Sequence, residues 1–147
     1  LAATDNRNRC VAEVRNALQL CLRSLTPGSR FNIVSFGSQY EALFPQSRSY
    51  DEASLAQAAA FVRTVDADMF GTEILPALQF VVQQPAVAGM PRQVLVLTDG
   101  EVTNTDEVID LARRHASSAR FFTFGIGYLW LVPYMQTSFA KFYEEVK

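Results

Sequence analysis

Apolar side chains at Val11, Val14, Leu18, Cys21, Leu22 and Leu25 recur at spacings of three and four, which places them on one face and predicts a helix over Arg7 to Leu25. Pro27-Gly28 ends it. Phe31 to Phe36 predicts a strand, and after Gly37-Ser38 a second extended piece, Tyr40 to Phe44, is close enough to pair with it as a hairpin. After the polar stretch Ser49 to Asp51, Ala53 to Val65 predicts a helix, from its alanine content and from Leu55, Ala58, Ala59, Val62 and Val65 on one face. A loop, Asp66 to Gly71, leads to Thr72, which can cap a helix over Glu73 to Gln83 with Ile74, Leu78 and Val81 or Val82 on its buried side. Gln93 to Thr98 is apolar and β-branched without clean alternation, the pattern of a strand covered on both faces in a parallel sheet. It stops at Asp99-Gly100. Asn104, with Glu107 three residues on, matches a capping box for a helix to about His115, and Arg120 to Phe124 predicts another buried strand ending in Gly125-Ile126-Gly127.

Strands and helices that alternate in this way predict an α/β fold: a doubly wound, mostly parallel sheet with helices on both faces. At 147 residues there is room for one such domain and not for two. A composition of 49% hydrophobic and 19% charged residues is that of an ordinary globular protein. The net charge of -2 and the scattered lysines and arginines leave no basic stripe for a nucleic-acid backbone. No apolar run approaches the ~18 residues that a spanning helix needs, and the most apolar stretch, Tyr128 to Met135, is interrupted by Pro133. The chain begins with Leu1 rather than Met and without a signal-peptide pattern, as expected of a piece of a longer protein with other domains. Cys10 and Cys21 fall eleven residues apart on one predicted helix. That is roughly 16 Å, beyond the ~7 Å between Cα atoms that a disulfide allows, so both are expected as free thiols and favour a reducing compartment.

Ligands of open parallel sheets gather at the carboxyl ends of the strands, and Asp99 stands at such an end. Thr72 lies in a loop that can reach the same edge, and a hydroxyl beside a carboxylate suits Mg²⁺ or Mn²⁺ better than Zn²⁺. Taken one at a time, each residue reads more simply: Thr72 as an N-cap, Asp99-Gly100 as a turn. Glu101, Asp106, Glu107 and Asp110 read as an acidic helix start, and the single histidine, His115, as a partner for a helix C-terminus. No nucleotide loop or nucleophile motif is present: Gly125-Ile126-Gly127 is followed by Tyr128-Leu129-Trp130, so the third glycine of a dinucleotide fingerprint is missing. The chain is therefore not expected to be an enzyme.

Four blocks change the balance for Thr72 and Asp99. Phe31 to Ser38 (FNIVSFGS), Asp68 to Leu75 (DMFGTEIL), Arg92 to Val102 (RQVLVLTDGEV) and Phe122 to Gly127 (FTFGIG) together resemble von Willebrand factor A (vWA) domains, in that family's order and at its spacing. They look most like the von Willebrand factor A domain-containing protein 5 type, in which a VIT domain precedes this one. The resemblance covers about Arg9 to Gly127. It implies a metal-ion-dependent adhesion site with ligands from an Asp-x-Ser-x-Ser motif after the first strand, from a loop threonine and from a Thr-Asp-Gly aspartate. The last two carry over to Thr72 and Asp99, with Phe70 where the pattern usually has glycine. The Asp-x-Ser-x-Ser positions fall on Leu1, Ala3 and Asp5, of which Asp5 alone offers a side-chain oxygen.

The usual first central strand, which the family places between the strands at Phe31 and Val94, has no counterpart in the sequence. Its neighbours are then expected to have hydrogen-bonding edges unmet, at about 1 to 3 kcal/mol for each buried group left unpaired. Residues 1–127 are expected to form the vWA-like domain, and 128–147 an atypical tail. Within that tail Tyr128 to Val132 is strand-like and Phe139 to Val146 has the pattern of a short amphipathic helix. What the resemblance implies is a protein-binding module whose cation, weakly held or lost here, is completed by an acidic side chain of the partner. The alternatives are a metal-independent structural domain and, behind it, a nucleotide-using enzyme domain. The related protein type suggests the cytoplasm; the secreted relatives of the family mark the alternative.

Overall fold

The computed structural model describes residues 2–65, 73–98 and 104–125, with side chains from residue 8 to residue 123 of those ranges. Helix α1 runs Ala2–Ser24, longer at its start than periodicity predicted. It buries Val11, Val14 and Leu22. The chain leaves it through a turn in which the Ser29 N–H donates to the Thr26 carbonyl (3.1 Å). Gly28 sits in that turn at φ +87, a backbone conformation that side-chain-bearing residues seldom adopt.

The strand expected over Phe31 to Phe36 is two strands, β1 (Arg30–Phe31) and β2 (Val34–Phe36). The break lies at Asn32, whose side-chain amide does what a strand backbone would do. Its Oδ1 accepts from the Phe44 N–H (3.0 Å) and its Nδ2 donates to the Phe44 carbonyl (2.8 Å). Both polar groups of Phe44 are met by one side chain, so the main chain at Asn32 is released from the ladder. The expected hairpin is present: β2 pairs antiparallel with β3 (Tyr40–Ala42), Ser35 opposite Glu41. Sequence patterning missed β4 (Arg48–Ser49), which pairs antiparallel with β1. Its two residues are polar and exposed, so they carry no periodic signal.

Helix α2 (Glu52–Thr64) starts at a reciprocal cap. The Asp51 carboxylate accepts from the Ser54 N–H (2.7 Å), and the Ser54 hydroxyl accepts from the Asp51 N–H (3.0 Å). The backbone N–H of Ser54 is the first reason that the Asp51 carboxyl is held below its ordinary value of 3.8. A depressed carboxylate stabilises the fold above its unfolded pKa and loses that contribution as pH falls through the folded value. Urea midpoints are therefore expected to fall on acidification below about pH 4 by more in the parent than in Asp51→Asn, whose cap does not titrate. Equal acid sensitivity of the two would show that the cap carries no linked proton.

Helices α3 (Ile74–Gln83) and α4 (Thr105–Arg114) flank β5 (Arg92–Thr98), and β6 (Ala119–Gly125) follows. β5 and β6 pair in parallel over seven residues, from Arg92 opposite Ala119 to Thr98 opposite Gly125, so β5-α4-β6 is a βαβ unit. Helix α3 begins at Ile74 with Glu73 as its N-cap, one residue later than the start expected after Thr72. Asn104 does occupy the N-cap of α4, but at φ 60 and with no side-chain cap bond, so the expected capping box with Glu107 is absent. A capping side chain needs extended backbone beneath it, and the left-handed conformation, which Asn tolerates well, supplies a different geometry.

Two apolar clusters form the core. One joins Ile74 and Leu78 of α3, Val94 and Val96 of β5, Leu111 of α4 and Ala119 of β6. The other joins Leu22 of α1, Phe31 of β1, Phe44, and Ala58 and Val62 of α2. Among the described residues β5 is not covered on both faces as expected. Val94 and Val96 are buried under α3 and α4, while Leu95, on the opposite face, is 47% exposed. The expected single doubly wound sheet also does not appear among the described residues, where the strands make three separate two-stranded pairs. The α/β class itself is present. No helix among the described residues is long and apolar enough to cross a membrane.

Candidate functional site

The three candidate cation ligands are delivered by three different parts of the chain. Asp5 lies in the first turns of α1, so its backbone is helical rather than in a loop after a strand, and its side chain is outside the described residues. Thr72 and Asp99 are themselves outside the described residues; Thr72 falls between the end of α2 and the start of α3, and Asp99 directly after Thr98 of β5. Glu101 and the tail 128–147 also lie outside them. Elsewhere, among the described residues, no group of three or more His, Cys, Asp or Glu side chains is placed to hold a metal ion.

What the structure does define is the ground on which those loops stand. The segment that carries Thr72 leaves α2 at Val65 and joins α3 at Ile74, and both of these residues are buried. The Val65 end is held by a residue that sequence reading passed over. Arg15 of α1 donates through Nε (3.1 Å) and Nη2 (2.7 Å) to the Val65 carbonyl, and through Nη2 to the Arg63 carbonyl (3.1 Å). A guanidinium is suited to this place because its planar fork can meet two acceptors, and because positive charge is favoured where the last carbonyls of a helix point. The only trace in the sequence is an arginine beside the apolar stripe of α1, which by itself reads as a solvated helix face. Arg92, at the start of β5, does the same for α3, with Nη2 donating to the carbonyls of Gln84 (2.8 Å) and Pro85 (3.0 Å).

Replacing Arg15 with alanine is expected to lower stability by about 1 to 2 kcal/mol, since three charge-assisted bonds end on carbonyls that water can partly reach. Trypsin should then cut faster after Arg63, whose carbonyl Arg15 covers. Arg15→Lys, with a point charge in place of the fork, is expected to restore only part of both. Unchanged cleavage and an unchanged urea midpoint in Arg15→Ala would rule out the clamp.

Asp106 and Glu107 stand in the first turn of α4, and Arg113 and Arg114 in its last, each sign at the helix end that favours it. His115 is the C-cap of α4, the helix-end position expected for it, and its backbone N–H donates to the Leu111 carbonyl (3.2 Å). Cys10 and Cys21 are both free and partly buried, as their spacing on one helix requires.

Comparison with known proteins bears on the chain as a whole. A family model described as von Willebrand factor type A domain matches residues 2–138. The human von Willebrand factor A domain-containing protein 5B1 is 47% identical over 114 residues, which cover 78% of this chain and 9% of that protein. Its mouse counterpart is 44% identical over 114 residues, again 78% of this chain and 9% of the relative. The human von Willebrand factor A domain-containing protein 5A is 41% identical over 127 residues, 86% of this chain and 16% of the relative. The chain thus spans less than a fifth of the length of these curated relatives.

Proposed function

The chain belongs to the von Willebrand factor type A domain family, and from that premise we propose that it works as a protein-interaction module whose binding face is a degenerate metal-ion-dependent adhesion site. The observation that carries this reading is the family match over residues 2–138. Thr72, Asp99 and Asp5 are the side chains that would hold the cation. Their oxygens are hard donors, which fit Mg²⁺ or Mn²⁺ and not a thiolate-loving ion. When bound, the cation offers an open position to an acidic side chain of the partner.

Leu1 and Ala3 stand where two further oxygen donors belong in the family's motif, and neither has one in its side chain. With fewer charged ligands the site holds its cation weakly. The fold that would present it is a doubly wound sheet, a reading supported by the parallel β5-α4-β6 unit. We place residues 1–127 in this domain and 128–147 in an atypical tail. The whole acts inside a longer parent chain, in the cytoplasm, where the free thiols of Cys10 and Cys21 persist. The apolar residues at positions 1 and 3 favour one second reading, a metal-independent scaffold of that parent. The sequence has no Gly-x-Gly-x-x-Gly, phosphate-binding Lys loop or Gly-x-Ser-x-Gly motif to support an enzyme reading.

Thermal unfolding with and without divalent cation separates the two readings. A ligand that binds only the native state raises stability by about 2.7 kcal/mol at one hundred times its dissociation constant. The expected result is a rise in Tm that requires millimolar Mg²⁺ or Mn²⁺, disappears with EDTA and is absent in Asp99→Ala. A cooperative transition indifferent to metal would leave the scaffold reading in its place.

A further inference from the structure

We draw no further inference here: the strongest candidate, the face of the β5–β6 pair around the exposed Leu95, carries nothing because nothing in the structure shows what covers it.

Discussion

Phe44→Ala is expected to cost about 3 to 5 kcal/mol of folding stability, the range for an aromatic side chain removed from a closed core. Phe44 is 2% exposed and belongs to the cluster that joins α1, β1 and α2. Its ring meets Phe31 edge-on, with centroids 5.9 Å apart, and the Arg48 guanidinium lies 4.9 Å from its centroid on the outer side. Truncation therefore removes apolar area, an aromatic pair and a cation–π contact together. The site has little freedom to collapse onto the gap. The backbone of Phe44 is held at both its N–H and its carbonyl by Asn32, so the cavity persists and adds its own cost to the lost transfer energy. Urea denaturation followed by circular dichroism measures the loss, and Phe44→Leu should recover a substantial part of it. A loss below about 1 kcal/mol for the alanine variant would mean that this cluster is not a closed core.

The elements legible in the sequence are those whose burial is periodic. Val11, Val14 and Leu22 mark α1, Ala58 and Val62 mark α2, and Ile74 and Leu78 mark α3, because each faces a neighbour at helical spacing and is buried there. The paired strands at Val94 and Phe121 are legible for another reason, as short apolar, β-branched or aromatic runs without a helical period. What was not legible depends on single polar side chains acting across the fold. Asn32 breaks a strand because it bonds Phe44, twelve residues on, and Arg15 ends a helix fifty residues away. No local pattern records either partner. Asn104 illustrates the converse case: a local pattern, Asn with Glu three residues later, promises a cap that the left-handed backbone replaces.

The covering of β5 was misjudged for a further reason. An apolar run such as Val94 to Leu97 predicts two covered faces only if the rest of the sheet is present to carry the second layer. Here α3 and α4 take one face, and Leu95 stays exposed on the other. The candidate site was legible only as a family pattern. Thr72 and Asp99 taken singly read as a cap and a turn, and the four-block resemblance, not their chemistry, is what makes them candidate ligands.

The second large effect is expected in the other cluster. Leu78 of α3 is 4% exposed and packs with Val94 and Val96 of β5, Leu111 of α4 and Ala119 of β6. Leu78→Ala is expected to cost about 2 to 5 kcal/mol, a range set by how far the two helices can close over the vacancy. The more informative readout is where the loss is felt. The hairpin reaches both clusters, with Phe36 against the Leu78 side and Ile33 and Leu43 against the Phe44 side, and Tyr40 adds a ring contact with Phe80 of α3 at 5.3 Å. Apart from that hairpin, the two clusters draw on different helices and strands, so each is a candidate unit of local opening. Amide hydrogen exchange of Leu78→Ala should therefore rise most in α4, β5 and β6, and least in α1 and α2. The same measurement on Phe44→Ala should give the reverse order. If both variants accelerate exchange uniformly, the hairpin couples the clusters into one cooperative unit, and the region that delivers Asp99 opens only with the whole domain.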